Sequence, residues 1–216
     1  SRGDTDAGSN NSEAVFSDLN GYDWAKDAIE YLYKKNIISG SGEKLFSPGG
    51  YLTREQAAKI ICNAFSVNET SEKAGFKDVI AGEWYEKYVM AAQSSGIMLG
   101  TSESEFGVGM NITRQDLAVI LYRAMGAADE EAACSFTDSE DIDDYAKQAV
   151  AYLSDMGIIN GYEDGSFKPH RYVTRAEAAT LLWKAYQYGN DNKTRASIMN
   201  DKKGKIIITT AGMGSN

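Results

Sequence analysis

The chain repeats itself at an interval of about 60 residues, and this constrains the fold more than any other feature. Phe16-Ser-Asp18, Phe76-Lys-Asp78 and Phe136-Thr-Asp138 recur 60 apart. An aromatic follows each one (Trp24, Trp84, Tyr145), and an isoleucine stands 13 residues later (Ile37, Ile97, Ile158). Three further residues give Gly40, Gly100 and Gly161; six more give Phe46, Phe106 and Phe167. Thr53-Arg54, Thr113-Arg114 and Thr174-Arg175 close the copies, each threonine 29 residues after its aromatic.

Each copy reads as helix, loop, helix. After Trp24 the apolar residues Ala25, Ala28, Ile29 and Leu32 fall on one helical face, as do Ala146, Ala149, Val150 and Leu153 in the third copy. The Ile-x-x-Gly step is expected to end this helix, with Gly40, Gly100 and Gly161 in a left-handed turn. A loop rich in turn formers follows, as in Gly161-Tyr-Glu-Asp-Gly165. The second helix opens on a capping box in Thr53-Arg-Glu-Gln56 and Thr174-Arg-Ala-Glu177, and on a weaker one in Thr113-Arg-Gln-Asp116. Its apolar face is Ala58, Ile60, Ile61, Phe65 in copy one, Ala118, Ile120, Leu121, Met125 in copy two, and Ala179, Leu181, Leu182, Tyr186 in copy three. A two-helix unit cannot bury such a face alone, and the connectors 66–75 and 126–135 are short. The expectation is therefore a mainly α protein, three tandem helix-loop-helix repeats packed as one body. Its units are 16–65, 76–125 and 136–186, preceded by a flexible segment 1–15 and followed by 187–216, a tail or the start of another domain.

Composition narrows the chemistry. With 22 basic and 31 acidic residues the net charge is −9, which lacks the basic excess of a nucleic-acid binder. No apolar stretch is long enough for a transmembrane helix. The single histidine, His170, and the two cysteines, Cys62 and Cys134, show no zinc spacing, and the loops lack an Asp-x-Asp-x-Asp calcium pattern, so no metal or cofactor is expected. Cys62 reads as a core residue; free thiols are the expectation, a 62–134 disulfide the alternative.

These motifs resemble the S-layer homology module: Phe-x-Asp, an aromatic heading helix one, then Gly157-Ile-Ile-Asn-Gly-Tyr-Glu-Asp-Gly-Ser-Phe-Lys-Pro169 and Val173-Thr-Arg-Ala-Glu177. The resemblance spans about 16–186. Copy two departs from the pattern with Val108 in place of Pro and no loop Asp-Gly; copy one has Glu55-Gln56 for Ala-Glu, and copy three has Tyr145 for Trp. The resemblance implies a pseudo-threefold, three-pronged body at one end of a secreted bacterial surface protein, located in the cell wall or S-layer. It also implies binding of a secondary cell-wall polysaccharide, often carrying a pyruvate ketal on an amino sugar, in grooves between modules.

Arginine in the first turn of a helix opposes the helix dipole, and this chain places one there three times. An anion at Arg54, Arg114 and Arg175 removes the conflict, because helix N–H groups and a guanidinium then converge on one carboxylate. The competing reading is an internal salt bridge to Asp18, Asp78 or Asp138; the two are compatible, since such an aspartate can aim the arginine at a ligand. Trp24, Trp84 and Tyr145 either stack on a sugar or pack between modules. Gly40, Gly100 and Gly161 either admit a sugar to the backbone or only end the helix. The six repeat phenylalanines are core. The repeating acids serve as loop and cap residues, so the reading is non-catalytic. A protein-interaction or S-layer assembly module and a cell-wall glycan hydrolase stand as alternatives.

Overall fold

The computed structural model describes residues 14–68, 75–127 and 132–190. The expectations for segment 1–15, save its last two residues, and for the run after 190 lie outside these residues. The protein is mainly α. Each module contributes two helices: α1 (Asp23–Lys34) and α2 (Arg54–Phe65), α3 (Glu86–Ser94) and α4 (Arg114–Ala124), α5 (Asp144–Asp155) and α6, helical from 175 through 190. A single 3-10 turn at Ser139–Asp141 precedes α5. In module two the helix begins two residues after Trp84, which sits in a turn.

The modules close into a ring. Leu52 N–H donates to Val173 O (3.1 Å), Val173 N–H to Ile112 O (3.0 Å) and Ile112 N–H to Leu52 O (2.9 Å), one short extended segment from each module around a pseudo-threefold axis. Their side chains are buried at 0–2% exposure, so the axis is apolar. The second helix of each module packs on the first helix of the next: α2 on α3 and α4 on α5. Trp183 and Tyr186 of α6 against Tyr31 of α1 complete the cycle. Tyr122 against Tyr152 is the same contact one module earlier.

The predicted face of α1 (Ala25, Ala28, Ile29, Leu32) is the buried one, and α5 buries its predicted four together with Ala151. On the second helices Ala58, Ile61, Ala118, Ile120, Leu121, Ala179, Leu181 and Leu182 are buried, whereas Ile60, Phe65, Met125 and Tyr186 are half-buried. Five of the repeat phenylalanines are core; Phe136 is half-buried and stacks on Phe167. Cys62 and Cys134 are free thiols, the first buried, its thiol pushed up to about 11 by desolvation.

The helix ends differ from expectation. The left-handed residues are Asn36, Gly96 and Gly157, with φ of 57°, 72° and 67°, not Gly40, Gly100 and Gly161. After each, Ile37, Ile97 and Ile158 donate their N–H five residues back to Leu32, Ala92 and Leu153 (2.9–3.0 Å). This is a Schellman closure, with isoleucine as its apolar residue. The later glycines are required by space. A Cβ on Gly100 would lie 2.5 Å from Glu105 O, Ser102 O and Phe76 Cε1; on Gly40, 2.5 Å from Leu45 O; on Gly161, 2.9 Å from Phe136 and Ser166 O.

Candidate functional site

The helix starts are already satisfied across module boundaries. Arg54 N–H donates to Met110 O (2.9 Å), Arg114 N–H to Arg171 O (3.0 Å) and Arg175 N–H to Gly50 O (2.8 Å). The idea that first-turn N–H groups converge with the guanidinium on a carboxylate does not hold for these three. The capping boxes are unequal. Thr174 and Glu177 make both reciprocal bonds (2.9 and 3.2 Å). In the Thr53–Gln56 box, Gln56 accepts from Thr53 N–H at 3.3 Å and the Thr53 hydroxyl faces the Gln56 N–H outside good hydrogen-bond geometry, so the box is present but looser than that of Thr174. Thr113 Oγ1 accepts from Asp116 N–H, and the Asp116 carboxylate instead accepts from the Tyr145 hydroxyl (2.7 Å).

The three arginine side chains reach over the module boundary. Arg54 Nε donates to Phe106 O (2.8 Å) and Nη2 to Leu99 O (2.7 Å). Arg114 Nε donates to Phe167 O (2.8 Å). Arg175 Nε donates to Phe46 O (2.9 Å) and Nη2 to Ser39 O (3.0 Å). Each guanidinium also lies 4.6–5.1 Å from the ring of the phenylalanine whose carbonyl it holds. Loop carbonyls thus meet the positive charge that the helix dipole disfavours.

Asp18, Asp78 and Asp138 organise the same loops from the other side. Asp18 accepts from Phe46 and Ser47 N–H, Asp138 from Phe167 and Lys168 N–H, and Asp78 from Phe106, Gly107 and Val108 N–H, all at 2.7–2.9 Å. Aspartate and arginine therefore bracket one phenylalanine, its N–H held by the acid and its C=O by the cation. The Arg–Asp salt bridge of the competing reading is replaced by this shared residue, although Asp18, Asp78 and Asp138 still support Arg175, Arg54 and Arg114 electrostatically. Burial lowers the pKa of all three guanidiniums from a value so high that they stay cationic. Burial raises the Asp78 carboxyl, but the three backbone donors outweigh it and hold the group below the ordinary carboxylate range.

Among the described residues, grooves form where three modules meet. A cavity of about 360 Å³ is lined by Arg175 of module three, the Ile38–Ser41 stretch and Gln56, Lys59 and Ile60 of module one, and Trp84 of module two. A cavity of about 460 Å³ repeats the plan one step round: Arg54 of module one, the Met98–Thr101 stretch with Asp116 and Arg123 of module two, and Tyr145 of module three. Gly40 lines the first and Gly100 the second. Trp24, Trp84 and Tyr145 are 57%, 47% and 56% exposed, so none of the three is a core residue. The Tyr145 hydroxyl is tied to Asp116 and Gln115.

The junction around Arg114 is built differently. Tyr162, next to Gly161, puts its ring 4.7 Å from the Arg114 guanidinium, and Glu177 Oε1 lies 3.5 Å from Arg114 Nη1. The Tyr162 hydroxyl donates to Glu177 Oε1 (2.9 Å) and accepts from Arg171 Nη1. Burial raises the Glu177 carboxyl, but Thr174 N–H, Tyr162 and Arg114 together hold it below its ordinary value. Tyr162, Lys59 and Arg123 were not legible as site residues, since none recurs at the same place in the other copies. The exposed His170 stands 3.4 Å from Gln115 Nε2, remote from any nucleophile motif.

Among the described residues no cluster of His, Cys, Asp or Glu is arranged to hold a metal ion, and no helix is long and apolar enough to cross a membrane. Comparison with known proteins gives a consistent outcome. The S-layer homology domain family matches at residues 15–58, 75–118 and 135–179. Similar proteins include the exoglucanase XynX of Acetivibrio thermocellus, 32% identical over 82% of this chain and 17% of its own length. The surface-layer 125 kDa protein of Lysinibacillus sphaericus is 30% identical over 77% of this chain and 14% of its own. The S-layer protein sap of Bacillus anthracis is 29% identical over 82% of this chain and 22% of its own. The chain thus spans less than a quarter of the length of these relatives, a slice shared by surface-layer proteins and an enzyme. The recurring motifs, the closed ring of three modules and the threefold match together show that this chain belongs to the S-layer homology domain family, a family of cell-wall anchoring modules, and carries three tandem copies of its domain.

Proposed function

We propose that this three-module body is non-catalytic and holds its protein on a bacterial cell wall, outside the cell, by binding an acidic secondary wall polysaccharide in the grooves between modules. The observation that carries this reading is the make-up of those grooves. Each of the two cavities brings an arginine from one module, a loop glycine from the next and an exposed aromatic from the third. The guanidinium is held by Nε and Nη2, which leaves Nη1 as the donor for a sugar-borne carboxylate such as a pyruvate ketal. The exposed aromatic offers a flat apolar face to a pyranose ring, and the glycine lets the sugar come close to the backbone. Asp18, Asp78 and Asp138 act as positioning residues, fixing the loops that the arginines grip.

A site assembled from fixed parts gains affinity because little has to be ordered on binding. The test is sedimentation with cell walls stripped of protein. The intact chain is expected to pellet with them, and Arg175→Ala to weaken that binding by about tenfold or more. Binding only to walls that keep their proteins would favour a protein receptor instead.

A further inference from the structure

The three junctions differ in charge, and the difference lies on the helix that walls each groove. Three residues after the capping threonine stand Gln56, Asp116 and Glu177; three further on stand Lys59, Val119 and Thr180. The Arg175 groove is walled by Gln56 and Lys59, and none of the described residues lining it is acidic. The Arg54 groove contains Asp116 together with a second cation, Arg123. Arg114 faces Glu177 at 3.5 Å. A carboxylate that approaches Arg54 or Arg114 meets a fixed negative charge within the same junction, which opposes it in a partly desolvated site. At Arg175 the corresponding residue is neutral, so its second cation, Lys59, is unopposed by any described lining acid, whereas the second cation of the Arg54 groove, Arg123, shares that groove with Asp116. Lys59 Nζ lies 5.5 Å from the centroid of the Trp84 ring, so the ammonium and the aromatic face enter the cavity together from modules one and two.

We infer that the Arg175 groove is the principal seat of the acidic sugar, and that Gln56 and Lys59 are the residues that give it this rank. The inference rests on the reading above, that the junctions take a carboxylate-bearing wall glycan. In this groove Arg175 and Lys59 meet the carboxylate from opposite modules, Trp84 takes the sugar face, and Gln56 keeps its cap bond to Thr53 without adding a charge. The Asp-to-loop bonds occur in all three modules and so do not separate the grooves.

The experiment is calorimetric titration of the whole chain with a pyruvate-ketal amino-sugar monosaccharide, comparing the unaltered protein with Gln56→Glu and Lys59→Thr. Both substitutions install a residue that the same position carries in module three, so folding is retained, and circular dichroism checks this. Each is expected to weaken the tightest binding phase by about tenfold. A crystal soaked at limiting monosaccharide is expected to fill the Arg175 groove first. Wild-type affinity in both variants, or first filling of the Arg54 or Arg114 junction, overturns the inference alone. Failure of the unaltered protein to bind the monosaccharide overturns the carboxylate reading and the inference with it.

Discussion

Each repeat phenylalanine of the loop is clamped from both sides, its N–H by an aspartate and its carbonyl by an arginine from another module. The glycine six residues before it has no room for a β-carbon. Gly100→Ala would place Cβ 2.5 Å from two carbonyl oxygens, and it is expected to cost about 1–3 kcal/mol in urea unfolding. The acids set a pH limit. Asp78 and Glu177 have folded-state pKa values below the ordinary ones, so their contribution is full above the unfolded values, about pH 4, and is lost as pH falls through the lower folded values. The urea midpoint is expected to hold near neutrality and drop below about pH 4, less steeply in Asp78→Asn than in the unaltered chain. The arginines were legible at this scale because they recur. Their partners were not, because a backbone carbonyl carries no sequence signature. Hence the competing salt bridge to Asp18, Asp78 and Asp138 is replaced by a link through a shared phenylalanine.

The six α-helices of the described residues pack by the same rule three times, and small differences at their ends separate the copies. Thr174→Ala removes a complete capping box and is expected to cost about 1 kcal/mol. Thr53→Val removes a hydroxyl whose contact with the Gln56 N–H falls outside good hydrogen-bond geometry, so its cost is expected to be smaller than that of Thr174→Ala. Urea midpoints of the two variants check this contrast. Helix faces were readable from the spacing of Ala25, Ala28, Ile29 and Leu32, since burial follows the 3.6-residue period. The first-helix C-termini depart from the Ile-x-x-Gly expectation. The apolar Ile37, Ile97 and Ile158 mark the closing residue of a Schellman motif, so the left-handed position precedes them. That reassignment gives Gly40, Gly100 and Gly161 a steric role in the loop in place of a conformational one.

The three segments around the axis form one hydrogen-bonded cycle, so no module has a complete core by itself. Thermal unfolding is expected to show a single cooperative transition, and a chain ending at residue 127 is expected to lose it, because α1 would lack α6 and Leu52 would lack Val173. Two separated transitions in calorimetry would contradict this. The ring was foreseeable from the repeat, since a unit of two amphipathic helices must find partners. The cross-module reach of Arg54, Arg114 and Arg175 was not, because spacing along the chain does not say which loop a side chain will meet in space. Their convergence with aromatics from a third module produces the grooves, so the sugar binding proposed above is expected of the assembled ring and not of a single module. Titration of the whole chain with purified wall polysaccharide, before and after chemical removal of its pyruvate, tests that claim most directly. The account predicts saturable binding to the native polymer and at least a tenfold loss, about 1.4 kcal/mol, after removal. Equal affinity for both polymers would contradict it.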